Sequence, residues 1–168
     1  MEIRDYCGNT LSYKGDCPAC AYANHEFSLP CGIAYEDAIC TISQDWELPI
    51  NGMFVVAPKR HINAFSELTK EERVHLFEMV NVVIKILKKN NIANDFNVIF
   101  EEKNTVHFHI WIFPRDGRKE KGIDPLKEIG KMKQYALNEN RNNDIYIKII
   151  QTTNLLRGEL QMMLKQMN

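Results

Sequence analysis

Apolar and polar positions alternate along "GIAYEDAICTISQ", which predicts two short strands meeting at Glu36-Asp37. "GMFVVAPKR" is continuously apolar and reads as a central strand that stops near Pro58, which has no N–H to give a ladder. The period then lengthens. Thr69 and Glu72 form a capping-box pattern, and Val74, Phe77, Val80, Ile84 and Leu87 recur at three and four, predicting an amphipathic helix over roughly 69 to 90. Beyond Asn90-Asn91, "FNVIFEE" and "TVHFHIWIFPR" read as two more strands joined by a short polar turn. Three strands, a helix and two strands make an α+β layout with a mostly antiparallel sheet. "RDGRKEKGIDP" is then a charged connector. Two helical stretches follow, about 124 to 138 and 144 to 166, the second carrying Ile145, Ile149, Leu156, Leu160 and Leu164 on one side. Its apolar side would pack on the sheet or on a second subunit.

Composition narrows the class. At 168 residues and 45% hydrophobic the chain suits one packed domain with an appended tail. A formal charge of −1, from 21 basic and 22 acidic residues, gives no general attraction to nucleic acid or to a membrane surface. Any anion must be recognised locally. "MEIRDYCGNT" lacks the basic start of a secretory signal, and no run approaches the roughly 20 apolar residues of a membrane span, so a cytoplasmic protein is expected. Of five cysteines, Cys17 and Cys20 form a Cys-x-x-Cys knuckle suited to holding metal or staying reduced. Cys7, Cys31 and Cys40 read as spare or buried thiols.

The chemistry concentrates in "VHFHIWIFPR". On a strand, Val106, Phe108, Ile110 and Ile112 share one face, while His107, His109, Trp111 and Phe113 share the other. A lone strand histidine usually just hydrogen-bonds a backbone carbonyl. Two on one face, about 6–7 Å apart, point to chemistry instead. Either both bind one zinc and leave a position open for activated water, or one binds metal while the other attacks phosphorus as a nucleophile.

"GMFVVAPKRHI", a capped helix and then "HFHIWIFPR" resemble the histidine-triad superfamily of nucleotide hydrolases and transferases, whose signature is His-φ-His-φ-His-φ-φ, often trailed by Pro-Arg. The resemblance runs from about Cys17 to Arg115. It implies a HIT-like fold of about five mostly antiparallel strands with one long helix. Residues 1–116 would form the nucleotide-binding domain, and 117–168 a helical extension on that domain or on a dimer partner. The middle histidine is the family's nucleophile, which makes His109 the catalytic candidate beside His107 and Trp111. Trp111 departs from the pattern: it stands where the superfamily's hydrolases have histidine and its uridylyltransferase members have glutamine, and it keeps one N–H donor but cannot accept a proton.

The resemblance extends to a zinc-bearing subset in which a Cys-x-x-Cys, a histidine past the Pro-Lys-Arg-like strand end and the first triad histidine share one metal. Here these positions are Cys17, Cys20, His61 and His107, a closed and therefore structural set. His25 ranks below His61 as a ligand, and His75 reads as a helix-surface residue. Asp45 matches an acidic ribose-binding position, with an ordinary turn aspartate as the equal alternative. Asn104 sits near a Ser/Thr that donates to a phosphate oxygen, and Trp46 or Ile42 would line a base pocket. Glu101-Glu102-Lys103-Asn104 replaces the family's Gly-Gln-Ser/Thr loop, placing two carboxylates next to an expected phosphate.

What these features imply is attack at the α-phosphorus of a nucleotide derivative through a nucleotidyl-histidine. Small size favours a hydrolase over a transferase. A zinc-stabilised nucleotide-binding protein without turnover is the alternative. A homodimer is implied by resemblance, since family members pair through the long helix and neighbouring strand edges. No stable nucleic acid or membrane partner is expected.

Overall fold

The computed structural model describes residues 1–102, 107–115 and 125–167. An N-terminal hairpin of β1 (Glu2–Arg4) and β2 (Thr10–Ser12), which the hydropathy pattern does not announce, leads into a one-and-a-half-turn helix α1 (Pro18–Ala23). The main sheet comprises β3 (Ile33–Glu36), β4 (Cys40–Gln44), β5 (Phe54–Pro58), β6 (Phe96–Glu101) and β7 (His109–Pro114). Its order is β3-β4-β5-β7-β6 and every pairing is antiparallel. Helix α2 (Lys70–Lys89) joins β5 to β6, and α3 (Pro125–Asn138) and α4 (Asn143–Met167) complete the chain. The α+β architecture of five antiparallel strands, one long helix and C-terminal helices is as the pattern implies.

The α2 capping box forms: the Thr69 hydroxyl accepts from Glu72 N–H at 3.2 Å, and the Glu72 carboxylate accepts from Thr69 N–H at 2.8 Å. The buried stripe is Leu76, Met79, Val80, Val83, Ile86 and Leu87, set against Ile42, Phe54, Val56, Ile110 and Ile112 of the sheet. Val80 and Leu87 therefore face inward as the spacing implies. Val74 and Phe77 instead face solvent, at 56% and 45% exposure. This helix is apolar around much of its girth, so spacing admits two stripes and only the sheet selects one.

Helix α4 is bound into the molecule. Leu156 and Leu160 enter the core between α2 and the sheet, and Ile149 enters a second cluster with Tyr6, Ala21, Tyr22 and Cys31. Arg157 donates to the carbonyls of Ile33 at 3.0 Å and Cys31 at 2.7 Å. The Leu164 side chain lies outside the described residues. Helix α3 covers the other face of the sheet: Ala136, Ile129, Met132 and Leu137 pack with Ile99, Trp111 and Phe113. Among the described residues no helix is long and apolar enough to cross a membrane.

Candidate metal centre and the adjoining histidine

Cys17 is the N-cap of α1, and Pro18 occupies the first helical position, where a missing N–H costs nothing. The Cys17 sulfur accepts from Cys20 N–H at 3.3 Å, so the cap itself holds both thiols on one side. His61 lies just past β5. Its neighbour Arg60 donates twice to the Glu72 carboxylate, at 2.8 Å each, and to the Glu67 carbonyl at 2.8 Å, which anchors that loop to the start of α2.

His107 is not on the strand. β7 begins at His109, and His107 sits in a bend before it, where Phe108 N–H donates to the Ile62 carbonyl at 2.7 Å. That bond ties the bend to the His61 loop, so the bend follows the loop rather than the sheet. The His107 Nε2–H donates to the Pro58 carbonyl at 2.8 Å, and because a carbonyl only accepts, this assigns the tautomer and leaves Nδ1 with its lone pair. Nδ1 then lies 3.4 Å from the sulfur of Cys17 and 3.4 Å from that of Cys20, and Cys20 Sγ lies 3.2 Å from His61 Nδ1.

All four donor atoms fall within 4.8 Å of one another. Metal–sulfur bonds of about 2.3 Å and metal–nitrogen bonds of about 2.0 Å put tetrahedral donors about 3.5 Å apart, so the spacing fits a four-coordinate ion. The chemistry agrees. Burial holds His107 in its neutral, ligating form, pushing its pKa down. Burial, then the hydrogen bond from Cys17, pushes the Cys20 thiol up to about 12. A divalent cation reverses that preference, because a coordinating thiol is deprotonated outright. His25 is not in the cluster; its ring pairs with Glu36 at 3.3 Å.

A second group, Asp37, Cys40 and His75, also gathers within 4.8 Å. Here the Asp37 carboxylate is already engaged by the Tyr35 hydroxyl, the N–H groups of Ile39 and Cys40, and His75 Nε2 at 2.6 Å. His75 is thus half-buried and pinned to the β3–β4 turn, not a plain surface residue. The four contacts on Asp37 hold that turn against α2.

His109 opens β7. Its Nδ1–H donates to the His107 carbonyl at 3.1 Å, directing Nε2 away from the backbone. Nε2 lies 3.3 Å from Glu101 Oε2, because the antiparallel register sets Glu101 opposite His109. Glu102 turns elsewhere and accepts from Phe65 N–H at 2.8 Å. The two carboxylates of the sequence thus separate, and one of them reaches the histidine.

Trp111 shares the sheet face of His109, with ring centroids 5.9 Å apart. Its Nε1–H is buried and without a hydrogen-bond partner among the described residues. Lys133 Nζ of α3 sits 4.6 Å over its ring, a cation–π contact. Asp45 is buried past the end of β4. Its Oδ1 accepts from the N–H groups of Glu47 and Leu48, so the turn role is present, and burial raises its pKa while nearby His109 opposes that shift. Asn104 lies outside the described residues. Ile42 is fully buried on the α2 face, since it pairs with Val56, and so lines no pocket near His109; Trp46 packs edge-on against Phe27. Sequence reasoning missed the Glu101 contact and Lys133. The β6–β7 register depends on loop geometry and Lys133 arrives from a separate helix, so neither leaves a local signal.

The HIT domain family model matches residues 26–118. An uncharacterized HIT-like protein of Methanocaldococcus jannaschii is 30% identical over 129 residues, spanning 73% of this chain and 94% of its own. Among solved structures, a Zn-bound histidine triad family protein from Mycobacterium smegmatis superposes with a TM-score of 0.64 at 16% identity, over 90% of this chain and 97% of its own. A hypothetical histidine triad nucleotide-binding protein from Sulfolobus tokodaii does so with a TM-score of 0.61 at 19% identity, over 86% and 94%. At those identities the superpositions speak to the fold. The Cys17-Cys20 knuckle precedes the matched stretch, and α3 and α4 follow it.

Proposed function

The chain belongs to the HIT domain family, and from that premise we propose that it acts on nucleotide derivatives, hydrolysing or transferring at the α-phosphorus through His109. The observation that carries this reading is the orientation of His109. One ring nitrogen is committed to a backbone carbonyl, which aims the other, Nε2, off the sheet as a nucleophile must be aimed. Nε2 attacks in line and forms a P–N bond, and the leaving group departs with its electron pair. Water or a second phosphate then displaces the histidine.

Cys17, Cys20, His61 and His107 are assigned a structural zinc. Four protein donors leave no open position, and the ion's part is to hold the bend before β7, and with it the carbonyl that orients His109. The Mycobacterium smegmatis protein with the same fold is Zn-bound. Asp45, with one carboxylate oxygen committed to its turn, offers the other to ribose hydroxyls, and Asn104 is assigned a phosphate oxygen. The buried Trp111 N–H supplies a further donor to that phosphate. A homodimer through α2 and β6 is proposed on the exposure of Val74, Phe77, Val98 and Phe100, a contiguous apolar face that Phe65 joins by ring contacts.

The second reading, nucleotide binding without turnover, is favoured by Trp111, which cannot transfer a proton, and by the Glu101 carboxylate beside His109. A panel of adenosine and guanosine phosphoramidates, dinucleoside polyphosphates and nucleotide sugars, assayed for product release with wild type and His109→Ala, separates them. Turnover lost by at least about 10³-fold in the variant supports the nucleophile. Nucleotide binding with no release from any substrate supports the binding protein.

A further inference from the structure

Resting on the reading that this chain takes nucleotides at His109, we infer that Lys133 of α3 supplies the cation that meets the substrate's phosphate, and that Trp111 is the seat that holds it there. Trp111 follows His109 on the same face of β7, with ring centroids 5.9 Å apart. Lys133 Nζ lies 4.6 Å over the indole ring. The sheet does not come between them: α3 packs Ile129 and Met132 with Ile99, Trp111 and Phe113, on the face that also carries His109. His109, Trp111 and Lys133 therefore form a short row above one face of the sheet.

The local charges call for such a cation. A formal charge of −1 gives the chain no general attraction for a phosphate, and the Glu101 carboxylate lies 3.3 Å from His109 Nε2. Arg115, just past the end of β7, is committed to Glu128 at 2.8 and 3.1 Å. Lys133 is half-buried and, among the described residues, belongs to no ion pair. A carboxylate partner would neutralise its ammonium, whereas a ring face positions the group and leaves its charge and its N–H donors for an anion. The direction of approach also fits. His109 Nε2 points off the sheet, so in an in-line attack the bonds that form and break at phosphorus run along that direction, while the non-bridging oxygens spread sideways over the neighbouring residues of the face. Lys133 stands on that side. Its flexible stem lets Nζ leave the ring for a non-bridging oxygen, exchanging a cation–π contact for a stronger charge-assisted hydrogen bond with no proton transferred. Trp111 thus contributes by carrying a cation from α3, a helix that lies beyond the stretch matched by the family model.

The test reads binding and needs no turnover. Isothermal titration calorimetry with the 5′-monophosphates of adenosine and guanosine, and with the two nucleosides, gives the preference for phosphate as a ratio of Kd values that an unfolded fraction of the sample leaves unchanged. Wild type prefers the monophosphate. Lys133→Met, which keeps an apolar stem against the indole, lowers that preference by about tenfold or more, and Lys133→Arg keeps it within about threefold. Lys127→Gln, which removes an exposed charge from the same helix, leaves it within about twofold. In a Trp111→Leu background the effect of Lys133→Met falls to within about threefold, because the seat is gone. A preference unchanged in Lys133→Met, an equal loss in Lys127→Gln, or an undiminished Lys133→Met effect without the indole overturns the inference. Wild type that binds neither monophosphate overturns the nucleotide reading as well, whereas monophosphate binding whose preference ignores Lys133 overturns the inference alone.

Discussion

Cys20 lies where local and long-range demands meet: its N–H satisfies the α1 cap, its sulfur approaches rings from two distant loops, and burial, then the hydrogen bond from Cys17, pushes its thiol pKa up to about 12. A coordinating thiol is deprotonated, so a metal bound here would displace that proton. Purified protein should carry about one zinc per chain, measured by elemental analysis, and Cys20→Ser should lose it and lower Tm by about 5 °C or more, since several kcal/mol of folding free energy goes with a structural ion. His107 was legible as a candidate from its spacing to His109, yet its position in a bend was not, because a strand pattern continues through it unbroken. Trp111 was legible as a departure. Its N–H, buried and without a partner among the described residues, is a property of what surrounds it, and no pattern of neighbours in sequence predicts that.

At the scale of elements, the start of α2 does two jobs. Glu72 completes the capping box with Thr69 and also receives Arg60, the residue before His61. That engagement, led by the Arg60 hydrogen bonds, lowers the Glu72 pKa from 4.5 to about 2. A depressed folded-state pKa contributes stability above the unfolded value, and that contribution is lost as pH falls through the folded one. Glu72→Gln should therefore melt below wild type at pH 7, and the difference in Tm should shrink as pH drops from about 4.5 toward 2, followed by circular dichroism. The capping box was readable from Thr69 and Glu72 alone because it is a four-residue device. The inward face of the same helix was not, since Val74 and Phe77 satisfy the spacing as well as Leu76 and Val83 do.

For the whole molecule, the two faces of the sheet divide the labour. One is sealed by α2 and by Leu156 and Leu160 of α4, and the other carries His109 and Trp111 with α3 packed over its outer end. The exposed apolar strip of Val74, Phe77, Val98 and Phe100 lies where α2 meets the edge strand β6. If that strip is the homodimer contact, Phe77→Glu should convert dimer to monomer by light scattering while shifting Tm little, because a half-exposed side chain contributes little to the monomer's core. The sequence by itself determined the order of elements from β3 onward, the α2 cap, the family and the histidines, because periodicity, caps and motifs are properties of neighbouring residues. Tertiary structure alone decided which stripe of α2 is buried, that Glu101 rather than Glu102 meets His109, and that Lys133 arrives over Trp111, because these depend on strand register and on packing between segments far apart in the chain.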